Sequence, residues 1–95
     1  MSVKICPLQD AQYFDNNGEP LDGGKLFFYV GGSFTVQKTT YSDSAGTVPN
    51  SNPIVLDSSG RPTVDIFITE SEPYNMTVSM PDGTTILKAY ANFTV

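Results

Sequence analysis

Histidine and tryptophan are absent from this chain of 95 residues, cysteine occurs once, and only five residues are basic. Each shortage removes a class of function. Without histidine there is no side chain whose unperturbed pKa lies near neutrality, so the usual general base and the commonest transition-metal ligand are both missing. The single thiol, Cys6, has no second cysteine to pair with. A small secreted domain ordinarily carries several, so folding in a reducing cytoplasm is expected. As a nucleophile Cys6 would need a base to form its thiolate, and only Lys4 is close in sequence. The expected role is a small, partly buried apolar residue beside Pro7. Lys4, Lys25, Lys38, Arg61 and Lys88 stand singly against ten acids, for a net charge of -5. Phosphate neutralisation needs clustered cations, so neither nucleic acid nor an anionic membrane surface is an expected partner. No run approaches the ~20 apolar residues of a membrane span. The opening Met-Ser-Val-Lys-Ile-Cys-Pro has too short an apolar run for a signal peptide, which makes the sequons at Asn75 and Asn92 chance matches.

What the chain has in quantity is turn residues and strand formers. Eight glycines and seven prolines punctuate intervals rich in Val, Ile, Thr, Tyr and Phe. Asp15-Asn16-Asn17-Gly18, Asp43-Ser44-Ala45-Gly46 and Asp57-Ser58-Ser59-Gly60 repeat one pattern, Asp-x-x-Gly, and Asp22-Gly23-Gly24 and Asp82-Gly83 are tighter forms. An aspartate side chain bonds the backbone two residues on, and glycine accepts the positive φ that closes a turn. Between these turns the segment Lys25–Val30 is apolar on both faces and is expected to be central or clamped between subunits. Tyr74, Met76, Val78 and Met80 alternate strictly with Asn75, Thr77 and Ser79, a period of two over residues 74–80. Pro81-Asp82-Gly83-Thr84 then turns into a strand over 85–90. Val64, Ile66 and Ile68 share one face of a strand over 64–69, and shorter strands are expected at 12–14, 35–41 and 54–56. The expected fold is a single all-β domain, a small antiparallel sandwich or open barrel of about seven short strands. Residues 1–12 read as an irregular arm, and residues 42–53 as a long polar loop ordered by Pro49 and Pro53.

The search for chemistry yields little. Asp15-x-Asn17-x-Glu19 opens like a calcium loop, but Pro20 and Leu26 stand where an EF-hand needs Gly and Glu. Glu70 and Glu72 read as an exposed hairpin tip rather than an acid/base pair. Neither a catalytic residue, a metal site nor a cofactor is assigned, and an enzyme is not expected. Most of the eleven Tyr and Phe residues are assigned to the core. Phe27 and Tyr29 share the strand face opposite Leu26, Phe28 and Val30, which makes them candidate interface residues.

The order of motifs adds a resemblance. Gly24-Lys25-Leu26-Phe27-Phe28-Tyr29 is followed by Thr40-Tyr41-Ser42-Asp43-Ser44-Ala45-Gly46-Thr47. Then come Asn52-Pro53-Ile54-Val55-Leu56-Asp57-Ser58-Ser59-Gly60-Arg61-Pro62, the Asp65-Ile66-Phe67 strand and a closing Tyr74 strand with Asp82-Gly83-Thr84. From about Phe14 to Tyr90 this series resembles the N-terminal particle-binding (head-binding) domain of tailed-bacteriophage tailspikes and tail fibres. The resemblance implies a β-rich virion module, usually a homotrimer, that anchors a fibre or spike to tail, portal-adaptor or capsid proteins. It implies a protein made in the bacterial host cytoplasm and carried on the particle. The chain ends at Val95 without a receptor-binding or β-helical region, so neither receptor binding nor glycosidase activity is carried over. A capsid decoration (cement) protein and a carbohydrate- or cell-surface-binding β-sandwich are the alternative readings. Docking contacts are expected from residues 2–10, from the 42–53 loop with Tyr41, Asp43, Asn52 and Pro53, and from the turn holding Arg61. Arg61, the sole arginine, either reaches a partner's carboxylate or carbonyl or pairs within the domain with Asp57 or Asp65.

Overall fold

The period-two segment that begins at Tyr74 lies inside the larger of two antiparallel sheets. In the computed structural model, which describes residues 3–6 and 11–94, the strands are β1 (Val3–Ile5), β2 (Lys25–Val30), β3 (Ile54–Val55), β4 (Phe67–Thr69), β5 (Tyr74–Ser79) and β6 (Ile86–Phe93). The larger sheet has the order β3-β2-β5-β6, and β1 pairs with β4 in a second, two-stranded sheet. The result is the expected small all-β sandwich, with six strands among the described residues.

Directly paired residues point to the same side of a sheet, so the register sorts the side chains. Ile54, Leu26, Val78 and Lys88 form one row across the larger sheet; Phe28, Met76 and Tyr90 form the next, and Val30, Tyr74 and Phe93 a third. The buried members of these rows meet Ile66, Ile68, Cys6, Tyr13, Leu21 and Leu56 in one hydrophobic cluster. Fully burying each large aliphatic or aromatic side chain is worth roughly 1.5–3 kcal/mol, which makes this cluster the main source of stability. Cys6 belongs to it, 1% exposed, with its amide donating to the Ile66 carbonyl.

Several strand expectations shift at their ends. Residues 12–14 and 35–41 are not strands: Phe14 bridges only to Pro20 across its own turn, and residues 35–41 touch the sheets through the isolated bridges Tyr29↔Gln37 and Tyr41↔Phe67. The expected strand over 64–69 is confined to Phe67–Thr69, and that over 85–90 starts at Ile86 and runs on to Phe93. Within the arm read as irregular, Val3–Ile5 forms β1, because its backbone completes the edge of β4. Residues 7–10 lie outside the described residues. Asn75, Thr77 and Ser79, the polar side of β5, are buried as thoroughly as its apolar side. Asn75 is satisfied there by accepting from the amides of Gly32 and Asn92 and donating to the Ser33 carbonyl.

All three Asp-x-x-Gly segments fold alike. The glycine amide donates to the aspartate carbonyl, from Gly18 to Asp15, Gly46 to Asp43 and Gly60 to Asp57, and each glycine has a φ between 70 and 78°. The first and third share a longer unit, apolar-Asp-x-x-Gly-x-Pro, closed by the bridges Phe14↔Pro20 and Leu56↔Pro62. The backbone of Tyr13 sews these two turns together: its amide donates to the Gly60 carbonyl and its carbonyl accepts from Leu21, both at 2.9 Å. At Gly60 a Cβ would sit 2.3 Å from the Tyr13 carbonyl oxygen, whereas at Gly18 it would meet nothing within 4 Å. Gly18→Ala should therefore cost only the left-handed backbone penalty, about 1 kcal/mol. Gly60→Ala should cost about 3 kcal/mol or more, because the backbone contact must also break. Urea unfolding of the two variants measures the difference, and equal losses would contradict this account of the turn.

Candidate functional site

β2 has a neighbour on each side, but the one on its β3 side is interrupted. β3 covers only Lys25 and Leu26, while further along Lys38 donates to the Phe28 carbonyl and Val30 donates to the Val36 carbonyl. The side chain of Asn52 fills the gap. Its Oδ1 accepts from the Phe28 amide at 3.1 Å and its Nδ2 donates to the Phe28 carbonyl at 2.9 Å, so the carboxamide stands in for a strand backbone. Asn52 is joined to Pro53 by a cis peptide bond, and both are partly buried. Both residues, expected at an interface, have framework duties within the domain.

Tyr41 and Asp43 have comparable internal duties. The Tyr41 and Phe67 backbones exchange hydrogen bonds at 2.9 and 2.7 Å, which gives β4 a partner on the edge away from β1. Asp43 Oδ1 accepts from the Thr47 and Val48 amides, and Oδ2 accepts from the Thr47 hydroxyl. Asn50 closes the loop by donating to Thr40 Oγ1 and to the Asp65 carbonyl. The 42–53 loop thus contains a self-bonded turn, with Asn50 tying it to Thr40 and Asp65.

Arg61 lies apart from that loop. It is exposed, donates from Nη2 to Gln12 Oε1 at 3.2 Å, and its charge helps to hold the Asp57 carboxyl down. Of the two intradomain partners weighed for it, Asp57 is the one that feels its charge. Glu70 and Glu72 leave the hairpin tip in different directions, toward Lys4 at 3.4 Å and Lys38 at 2.7 Å.

Phe27 and Tyr29 do come together. Their rings stack with centroids 6.4 Å apart on the outer face of the larger sheet, and Phe34 meets Tyr29 edge-on at 6.0 Å. Phe34 was not singled out in the sequence. Gly32, with a φ of 80°, turns the chain after β2 and Ser33 Oγ accepts from the amides of Thr35 and Val36, which folds Phe34 back onto that face. On the other side of the domain an open cleft of about 260 Å³ separates residues 11–16 from Val78, Leu87, Lys88 and Tyr90. Tyr13 lines it, and burial pushes its hydroxyl pKa up, with Tyr90 and Cys6 adding to the effect. Among the described residues no group of three or more His, Cys, Asp or Glu side chains is placed to hold a metal ion.

The chain matches no family model and no curated protein sequence. The geometry alone therefore describes the candidate surfaces: an aromatic outer face, a turn-built wall around Tyr41 and Asn52, and the exposed arginine turn.

The turn carboxylates also set the response to acid. The Thr47 hydroxyl, followed by the Val48 amide, holds Asp43 below the usual carboxylate range, and the Ser59 hydroxyl, followed by the Arg61 amide, does so for Asp57. The Thr85 and Thr84 amides and the Thr85 hydroxyl lower Asp82 from 3.8 to about 2. A carboxyl whose folded pKa is depressed stabilises the fold fully above its unfolded pKa and loses that contribution as pH falls through the folded value. Melting temperature should hold steady down to about pH 4 and then fall. Asp82→Asn should melt below wild type at neutral pH, with the gap closing as pH approaches about 2. A gap that is unchanged with pH would contradict the charge-assisted turn.

Proposed function

We propose that this chain is a virion structural protein, an attachment module that anchors a tail fibre or tailspike to a tailed-phage particle and self-associates as a homotrimer. It is made in the host cytoplasm and works on the particle, contacting tail, portal-adaptor or capsid proteins, without catalysis of its own. The observation that supports the reading is the structural use of the motif series by which the chain resembles particle-binding domains. Tyr41, Asp43, Asn52, Gly60 and Tyr74 are each placed at a turn closure or a strand edge and held there by backbone or side-chain hydrogen bonds. Residues of a series used in this way specify a rigid shape rather than a reaction, and a rigid shape is what an anchor requires. The acidic turns add selectivity for a complementary docking surface.

Arg61 is the side chain on the exposed turn best suited to a partner's carboxylate or carbonyl, because its planar guanidinium presents several donors at once. The test is incubation of fluorescently labelled chain with purified tailed-phage particles, followed by sedimentation of the particles and immunogold electron microscopy. Signal at the tail vertex is expected. Signal spread over the shell would instead indicate capsid decoration, and particles that sediment unlabelled would overturn the reading. Arg61→Ala should reduce binding about tenfold or more while leaving the melting temperature within a degree or two, the effect of removing an interface arginine. A matching loss of melting temperature would assign Arg61 to the domain's own stability.

A further inference from the structure

The three Asp-x-x-Gly turns share a backbone but differ at their third position, which holds Asn17, Ala45 or Ser59. In the last of them the Ser59 hydroxyl donates to Asp57 Oδ1. Asn17 has no such tie: the residue is exposed, and among the described residues its carboxamide makes no hydrogen bond. Gly18 follows it, also exposed, with a φ of 78° and nothing within 4 Å of the place a Cβ would take. Among the described residues a single hydrogen bond restrains the peptide that joins the two, from the Gly18 amide to the Asp15 carbonyl at 3.1 Å.

We propose that Asn17-Gly18 is a site of spontaneous deamidation and isoaspartate formation, with solvent water as the co-reactant. Asparagine is a thermolabile side chain, and glycine supplies the backbone freedom that ring closure needs. The Gly18 amide nitrogen loses its proton to hydroxide and attacks Asn17 Cγ. The new N–Cγ bond closes a succinimide ring, and the Cγ–Nδ2 bond breaks; the departing nitrogen takes a proton from water and leaves as ammonia. Water then opens the ring at either carbonyl. Cleavage between nitrogen and Cγ leaves an ordinary aspartate, and cleavage between nitrogen and the main-chain carbonyl carbon leaves an isoaspartate, whose chain runs on through Cγ. No oxidant or reductant is needed, and either product carries a negative charge where asparagine had none.

The fold protects the other asparagines. Asn16 precedes the Asn17 amide, which Asp15 Oδ1 engages at 2.8 Å. Asn50 donates to Thr40 Oγ1 and to the Asp65 carbonyl, and Asn75 is 1% exposed with three hydrogen bonds. Asn52 precedes Pro53, which has no N–H. Asn92 precedes Phe93, whose backbone pairs with Tyr74 and whose ring stacks on it. Asp22 and Asp82 also precede glycine, but a carboxylate is a poorer electrophile than a carboxamide. The product changes its turn. Asp15 Oδ1 accepts from the Asn17 and Glu19 amides at 2.8 and 3.0 Å, one on each side of the altered link. An isoaspartate lengthens the backbone between them, so the two amides no longer meet one oxygen at those distances. The hairpin closed by the Phe14↔Pro20 bridge loosens, while the hydrophobic cluster stays intact. None of this depends on the attachment reading.

The test is incubation of the full chain in warm, mildly alkaline buffer, followed over days by peptide mass mapping and by methyl transfer from a protein L-isoaspartyl methyltransferase. The peptide containing Asn17 is expected to gain the mass difference between an amide and an acid and to accept methyl groups. Both signals should be lost in Asn17→Ser, which copies the third turn, and unchanged in Asn16→Ser; circular dichroism melting checks that each variant is folded. The Glu19 amide should exchange faster in the converted protein than in Asn17→Asp, which carries the charge without the longer backbone. Equal exchange in those two would contradict the loosening of the turn. Conversion that persists in folded Asn17→Ser, or that maps to Asp22, Asp82 or Asn92 instead, would overturn the inference. So would an Asn17 that stays intact while an unstructured peptide of the same turn sequence converts.

Discussion

The Tyr74 hydroxyl belongs to both layers of the sandwich. Its ring sits in the larger sheet, edge-on to Phe28 at 6.4 Å and stacked on Phe93 at 6.1 Å, while its hydroxyl accepts from the Thr69 amide of β4 and donates to the Thr39 carbonyl. The Tyr41 backbone and the Tyr74 hydroxyl lie along the same edge of β4, so a side chain from one sheet does the work of a strand for the other. Lys38 covers the ring at 4.4 Å and is held there by Glu72. Burying the ring is worth roughly 3 kcal/mol, and each satisfied hydrogen bond about 1 kcal/mol net. Removing the hydroxyl would cost more than the bonds themselves, because a buried amide and a carbonyl would be left without a partner. The two-stranded sheet, too small to stand alone, depends on this tie.

From that constraint follows a domain whose polar side chains are used to complete backbone. Asn52 replaces a missing stretch of strand beside Phe28, Asn75 bonds three backbone groups around the 31–33 turn and Asn92, and Asp43, Asp57 and Asp82 organise turns. This division of labour leaves the acidic turns at the periphery and the rings of Phe27, Tyr29 and Phe34 on the outer face of the larger sheet. A domain built this way presents fixed surfaces of different character.

Most of the framework was legible because it follows from local rules. The alternation after Tyr74 and the apolar run at Lys25–Val30 marked the two central strands, and the Asp-x-x-Gly segments marked their turns by a mechanism that the hydrogen bonds reproduce. What escaped the sequence was long-range. Nothing local to Val3–Ile5 announces that it will complete the edge of β4. The alternation of β5 correctly separated its two faces, yet could not indicate that the polar one is buried as well, because that depends on distant segments such as the Gly32–Ser33 turn and Asn92, which bond Asn75. For the same reason the backbone partners of Asn52 and Asp43 escaped the sequence, because they come from outside each residue's own segment or turn on its local geometry. Phe27 and Tyr29 were placed on one strand face because a single strand's parity is sufficient for that.

The tie through Tyr74 can be examined one amide at a time. Native-state hydrogen exchange of wild type and Tyr74→Phe reads the Thr69 amide, which the hydroxyl protects, against the amides of Met76 and Val78 in β5. If the hydroxyl couples the layers, Thr69 exchanges in the wild type only with the global opening that exposes β5. In Tyr74→Phe it should exchange through a separate, faster opening while the β5 amides stay protected. A Thr69 amide that exchanges freely in the wild type, or one that is indifferent to the substitution, would contradict the account.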